Sequence, residues 1–175
     1  MPPGRGEVRV KMKAAGVCHS DLHVIKGDLV MPMPIIPGHE GSGVIESVGE
    51  GVTSVKPGDH ISPIWRASCG QCDFCMAGRP ALCDMGTRMR FEGVMPDGSM
   101  RFRNSAGTPI RHYAGVSTFS SYATMPEAAV VKIPETCSFE HAALISCGVI
   151  TGVGAVTNAA SCLLYTSDAA DEEDS

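Results

Sequence analysis

Four cysteines fall at Cys69, Cys72, Cys75 and Cys83, in the spacing C-x2-C-x2-C-x7-C. Two intervening residues let neighbouring thiolates reach one ion from a tight turn, and the longer gap brings in the fourth. Four sulfurs with no open position are the arrangement of a structural zinc. The rival, an iron–sulfur cluster, has its last cysteine after a gap of three residues and before a proline. Here the gap is seven and Asp84 follows. Disulfides are the weaker alternative, since clustered cysteines in a reducing compartment point to metal or catalysis. The surrounding segment, Cys69 to Gly107, is glycine-rich and shows no sustained helical or strand period. It reads as an irregular lobe, about residues 66–107, that an ion must staple. Such a zinc contributes ~10–16 kcal/mol in small peptides, against ~5–15 kcal/mol for a whole domain. The lobe is therefore expected to be unfolded without metal.

The other segments read mainly as strands. Glu7 to Met12 alternates apolar and charged residues, the pattern of a half-buried strand. Gly43 to Val48 is a second strand, and Val55 to Ile61 repeats the pattern around a Pro57-Gly58-Asp59 turn. Met31 to Pro37 carries three prolines and reads as extended loop. Tyr122 to Met125 and Ala128 to Ile133 return to strand. Ser138 is placed to cap a short helix through Ile145, and the small apolar run Val149 to Ala160 reads as a second helix. Twenty glycines and twelve prolines suit a turn-rich β structure. With 175 residues there is room for one domain with a sizeable core.

A net charge of −5 argues against a nucleic-acid surface. No run approaches the ~18 apolar residues that cross a bilayer. Arg5, Glu7, Arg9, Lys11 and Lys13 stand where a signal peptide would need apolar residues. These features give the expectation of a cytoplasmic domain without membrane or nucleic-acid partners.

Three more segments carry metal-capable residues: Cys18-His19-Ser20-Asp21-Leu22-His23, Gly38-His39-Glu40 and Cys147-Gly148. Each is weak alone, because a lone histidine is more often a hydrogen-bonded structural residue. From Gly38 to Val52 the chain reads G-H-E-x2-G-x5-G-x2-V. With CHSD upstream and the four-cysteine segment downstream, it resembles the zinc-dependent medium-chain alcohol dehydrogenases over residues 4 to about 160. The resemblance implies a GroES-like irregular β-barrel with the zinc lobe projecting from it, and two zinc ions. Cys18, His39 and Cys147 match the ligands of the catalytic zinc, a set that leaves one position open. Glu40 matches a residue beside that metal, an outer partner or transient ligand, and Asp21 the carboxylate that orients the ligand imidazole. Ser20 matches the hydroxyl that bonds the substrate oxygen, His23 the far end of the proton relay, and His19 a position facing the cofactor pyrophosphate. Trp65 and Tyr113 match walls of the substrate pocket. The long Met85 to Thr118 segment is similar to the liver-type and formaldehyde-oxidising branches.

The chemistry so implied is oxidation of a small alcohol to an aldehyde or ketone, with hydride passing to NAD or NADP. A zinc with an open position lowers the pKa of a hydroxyl that reaches it, and the proton leaves through Ser20 and His23. The family's dinucleotide-binding domain, with its G-x-G-x-x-G turn, is expected after Ala160 and is not in the sequence. Residues 1–148 therefore read as the catalytic zinc domain and 149–160 as the start of an interdomain helix. Ser161 to Ser175 reads as a non-native disordered tail, and Met1 as an internal methionine. The whole reads as an N-terminal fragment, inactive alone, of an enzyme that is a homo-oligomer at full length. The alternatives are a stand-alone zinc-binding structural module and a family member without catalytic zinc, such as a quinone or enoyl reductase. Cys137, His60, His112 and His141 match no ligand position and read as structural, and the methionines at 85, 89, 95 and 100 as gap-fillers.

Overall fold

A computed structural model describes residues 2–160 of the chain. Met1 and the expected tail Ser161 to Ser175 lie outside the described residues. The architecture is mainly β, with few helices, as the sequence implies.

The first strand, β1 (Glu7–Gly16), is the spine of the domain. Val8 and Val10 are fully buried, and each such side chain contributes about 1.5–3 kcal/mol. Further along the strand, charged Lys11 and Lys13 face out. β1 pairs antiparallel with β3 (Glu40–Val48) on one side and β7 (Tyr122–Pro126) on the other. With β4 (His60–Pro63) and β8 (Val130–Lys132) these form a five-stranded sheet in the order β7-β1-β3-β4-β8. Its core gathers Val8, Val10, Ile45, Ile61, Ala123 and Met125. The strand expected over Val55 to Ile61 begins only at His60, because Lys56 to Asp59 is spent on a turn that Asp59 closes by accepting from Lys56 N at 2.9 Å. A smaller sheet joins β2 (Ile35–Ile36), β6 (Pro109–His112) and β5 (Phe102–Arg103). The proline-rich Met31 to Pro37 run is therefore not all loop: Ile35 and Ile36 pair in parallel with Arg111 and His112.

The lobe is more helical than its sequence suggests. It holds α2 (Asp73–Met76), a 3-10 turn at Pro80–Leu82 and α3 (Asp84–Glu92). α3 lacks a clean apolar stripe, yet its ends are fixed: Cys83 precedes it, and Gly93, at φ +66°, closes it by donating to Met89 O at 3.1 Å. Met89 and Met95 fill the interior here as expected.

The two C-terminal helices expected from the sequence are one, α4 (Phe139–Ala159). Ser138 caps it as foreseen, its hydroxyl accepting from His141 N at 3.3 Å. The turns widen to π-type at Ile145–Val149 and Ala155–Ala159, so Gly148 does not break the helix. α4 also corrects the expectation that nothing approaches a bilayer span. Its 21 residues, at mean hydropathy 1.6, are long and apolar enough to cross one by length and composition. Isolated glycines and threonines interrupt the apolar run in sequence without lowering that mean below the range of such spans.

Candidate metal centres

In the lobe, α2 sets Cys72 and Cys75 about one turn apart, and the segments before and after it bring in Cys69 and Cys83. All four sulfurs lie within 4.8 Å of one another. Backbone N–H groups already point at them: Cys69 N donates to Cys83 Sγ at 3.2 Å and Cys72 N to Cys69 Sγ at 3.4 Å. Burial opposes ionisation of Cys83, but N–H groups of Gly86 and Cys69 aimed at its sulfur outweigh that and hold the thiol at about 6. Cys75 is pushed up to about 11 by burial and by the crowding of neighbouring sulfurs, against an N–H from Gly70. Four sulfurs this close cannot all ionise unless a cation sits among them, and a four-thiolate set fits zinc.

The second centre is assembled from three distant elements. β1 ends at Gly16 and the chain turns into α1 (His19–Lys26), leaving Cys18 at the helix N-cap. Gly38 must be glycine: its φ is +91°, and a side chain there would collide with Thr118 and Phe119. That turn delivers His39 and Glu40, both buried, at the start of β3. Cys147 sits in the widened turn of α4, and π-type turns of this kind frequently mark functional sites. Three serines fix the helix against the sheet. Ser42 Oγ donates to Phe139 O at 2.6 Å and Ser62 Oγ to Ala142 O at 3.0 Å. Ser146 Oγ donates to Ala143 O at 2.7 Å and accepts from Gly41 N at 3.2 Å.

The outcome is a cluster of Cys18, His39, Glu40 and Cys147, each offering one ligand atom within 4.8 Å of the others. Behind it lies Asp21, 1% exposed. Asp21 Oδ1 accepts from Gly38 N at 2.9 Å and stands 3.3 Å from His39 Nδ1, while Oδ2 accepts from Cys18 N at 3.2 Å. With Nδ1 so engaged, Nε2 of His39 is the nitrogen left for a metal. Burial works against the charged forms of both partners. Even so, the His39–Asp21 contact raises the imidazole pKa and lowers that of the carboxyl. Burial pushes the Cys147 thiol up to about 12, helped by the negative charge of Cys18 and Glu40. Such crowding of anionic donors is relieved by a divalent cation.

A pocket of about 50 Å³ opens directly on this cluster, lined by Ser20, Trp65, Arg90, Tyr113 and Ala114 together with His39 and Cys147. Tyr113 and Trp65 meet the His39 ring edge-on at centroid distances of 5.5 and 6.4 Å. A larger cleft of about 360 Å³, lined by Arg5, Ser68, Gln71 and Asp97 among others, contains neither His39 nor Cys147. The chemistry belongs to the smaller one.

The family profile described as the alcohol dehydrogenase GroES-like domain matches residues 4–135, well over half the chain. The chain belongs to this family. It is 48% identical over 160 residues to S-(hydroxymethyl)glutathione dehydrogenase of Escherichia coli O1:K1 / APEC, an alignment that takes in 91% of this chain and 43% of that protein. A solved alcohol dehydrogenase zinc-binding domain protein from Burkholderia ambifaria superposes at TM-score 0.84 with 36% identity, over 91% of this chain and 44% of that one. Benzyl alcohol dehydrogenase from Acinetobacter calcoaceticus superposes at TM-score 0.78 with 34% identity, over 91% and 42%. The chain thus spans less than half the length of the relatives it matches.

Against the family resemblance, the residues from Cys18, Ser20, Asp21, His39 and Glu40 to Trp65, Tyr113 and Cys147 come together in space. His19 and His23 stand apart from the pocket. They are exposed, their rings 4.6 Å apart, and His23 Nδ1 faces Asp28 Oδ2 at 3.1 Å. No hydrogen bond joins Ser20 to His23 among the described residues; His23 is bonded to Asp28 instead. His112 is structural as read. It is fully buried, its Nε2 accepts from Arg101 N at 2.9 Å, and burial together with the Arg101 charge drops its pKa to about 4. The sequence reading missed Arg90. It lies on α3, in the segment taken as irregular, and only the helix brings it to the pocket.

Proposed function

We propose that this chain supplies the catalytic metal site of an NAD(P)-dependent zinc alcohol dehydrogenase acting on small alcohols and aldehydes. The observation that carries the reading is the convergence of Cys18, His39 and Cys147 with Asp21 bound behind the imidazole. Those three would hold a catalytic zinc, and Cys69, Cys72, Cys75 and Cys83 a structural one. Zinc bound there supplies a Lewis acid that makes an alcohol hydroxyl acidic at neutral pH.

The chain's own residues do the rest. Ser20, in the pocket, accepts the substrate hydroxyl proton, and His23 is the outer base to which it passes. Trp65 and Tyr113 wall off water and confine the substrate to a small space. Glu40 offers an oxygen within ligand distance of the same three side chains and would serve that ion as an outer partner or transient ligand. His19, exposed at the start of α1, faces the nicotinamide cofactor's pyrophosphate. Residues 1–148 are the catalytic domain, and α4 leads towards a cofactor-binding portion that the longer relatives have room for. Unpaired cysteines in tight clusters support a cytoplasmic setting, and the exposed apolar face of α4 supports homo-oligomeric packing at full length.

Metal analysis is the direct test. Two zinc ions per chain are expected, with Cys18→Ala losing one. One ion per chain would favour the stand-alone structural module instead. Joined to the remaining portion of the Escherichia coli relative, the chain should oxidise primary alcohols with NAD or NADP. Undiminished turnover by Cys18→Ala in that context would end the reading.

A further inference from the structure

Six histidines occur in the chain, and at one place among the described residues two of them meet. His19 and His23 stand at i and i+4 on α1, so their side chains leave the same side of the helix one turn apart. That side is exposed, opposite the one that buries Asp21 and Val24. The ring centroids are 4.6 Å apart and the planes are tilted by 55°, so the imidazoles are not stacked face to face. Gly27, at φ +83°, ends α1 and turns the chain so that Asp28 comes back to the helix. Asp28 Oδ2 lies 3.1 Å from His23 Nδ1, much as Asp21 faces His39.

The separation of the rings restricts what they can hold together. A metal–imidazole bond of about 2.0–2.1 Å puts an ion about 3.2 Å from each ring centroid. Two rings on one ion then lie about 4.5 Å apart at a right angle and about 5.2 Å apart at the tetrahedral angle. The observed 4.6 Å matches the right angle. Nickel(II) and copper(II) prefer right-angle coordination by nitrogen and oxygen donors, whereas zinc takes a tetrahedron. Asp28 accepts from Nδ1 of His23, which leaves the lone pair on Nε2, as a carboxylate does behind a metal-bound imidazole. Both rings are exposed, so an ion there fills its other positions with water and no side chain has to leave the core. Cys18, next in sequence, offers its sulfur to the cluster with His39 and Cys147.

We infer that His19 and His23 form a third metal site, a two-imidazole chelate for a divalent ion of the nickel and copper class. Asp28 is its positioning residue. The site is separate from both cysteine clusters and fills without substrate or nicotinamide cofactor. An ion on Nε2 of His23 occupies the lone pair that would receive the substrate proton, so filling the site shuts the proton path proposed above. That consequence rests on the proposed function, and the binding itself does not.

Nickel(II) is the probe, because copper(II) oxidises thiols and nickel(II) does not. The zinc-loaded chain is dialysed to equilibrium against nickel chloride, and nickel and zinc are both counted by elemental analysis. One nickel per chain is expected, with the zinc content unchanged. His19→Gln and His23→Gln should each weaken uptake about tenfold or more, and Asp28→Asn about tenfold. His141→Gln, at an exposed histidine away from any other imidazole, should leave uptake as it was. The substituted side chains are all exposed, and an unchanged zinc count shows that each variant is folded. No uptake, uptake that survives both histidine substitutions, or uptake matched by an equal loss of zinc overturns the third site. A chain that holds only one zinc and still takes up this nickel keeps the third site and overturns the catalytic-zinc reading instead.

Discussion

Gly16 stands opposite Glu40 across the β1–β3 pair, and a Cβ added at Gly16 would sit well inside van der Waals contact of Glu40 Oε2. The glycine is there for space, since its φ is not in the left-handed region. It lets a carboxylate lie beside Cys18, His39 and Cys147 within ligand distance. Gly16→Ala should push the Glu40 carboxylate out of the donor set while leaving the four-cysteine set intact. The overpacking should cost about 1–3 kcal/mol. With cobalt in place of zinc, the absorption bands of the Cys18–His39–Cys147 site should shift and those of the lobe should not. Unchanged bands from both sites would show that Glu40 does not share the metal's surroundings.

Asp21 is the acceptor for three groups at once: Gly38 N, Cys18 N and His39 Nδ1. Asp21→Ala strands all three in a buried place, and we expect a loss of about 3 kcal/mol in stability. Affinity at the Cys18–His39–Cys147 site should fall about 10–100-fold, the usual cost of losing a partner behind a metal-binding histidine. Because the carboxyl is held below its ordinary 3.8, its contribution is present above that value and fades as pH falls through the lowered one. Denaturant melts and chelator competition would read both effects. A variant that melted normally and bound metal normally would contradict the role.

Much of this was legible from residue chemistry, because ligand spacing restricts geometry in a way that hydrophobic pattern does not. Cys69, Cys72, Cys75 and Cys83 can share an ion wherever the intervening chain goes, so the lobe's metal set could be read while its helices could not. α3 was hidden because DMGTRMRFE has no apolar stripe. What holds it is the Cys83 tether and the Gly93 cap, and neither leaves a periodic trace. Arg90 was hidden with it. The single long α4 was read as two helices, one through Ile145 and one from Val149, whereas a widened turn carries it through Cys147-Gly148. Strand β1 was plain, since it buries one face of an alternating segment, whereas β3 and β7 bury nearly continuous runs.

Metal uptake at the second centre should be steeply pH-dependent. The contact with Asp21 outweighs burial and raises His39 above its ordinary 6.5. In the metal-free chain, protonated His39 therefore adds stability below 6.5 that is lost as pH rises through the raised value. A metal needs the imidazole neutral and both thiols ionised, and Cys147 at about 12 gives up its proton only to an ion. The ion must displace at least the Cys147 proton, so affinity for the second zinc should rise about tenfold or more per pH unit near neutrality. Competition with a chelator of known pH response measures the slope. A flat profile would mean that these residues do not bind the ion.

Chelation should open the lobe before the sheet. α2 and the 3-10 turn at Pro80–Leu82 bury no residue, so little but the shared ion holds Cys69 to Cys83 in place. After strong chelation, limited proteolysis should cut within that stretch, while β1 and β3, built on Val8, Val10 and Ile45, stay protected. Resistance of the lobe after full zinc removal would place its stability in packing instead.

α4 presents Leu144, Ile145, Val149, Ile150, Val153 and Val156 at 43–56% exposure. An apolar face this continuous does not stay in water. Three of the residues in that stretch are glycines, Gly148, Gly152 and Gly154, and Ile145 and Ile150 also wall a cleft of about 200 Å³ against Val131 and Ile133 of the edge-strand segment. A face that already shares a cleft with a sheet edge is shaped for protein packing more than for lipid. The chain should therefore self-associate as its concentration rises, seen by light scattering, and Val149→Lys with Val153→Lys should weaken that association. Both positions lie on the exposed side, so secondary structure and metal content should be kept. Liposome flotation is the opposing arm: a chain that floats with neutral vesicles and stays monomeric without them uses this helix on a membrane.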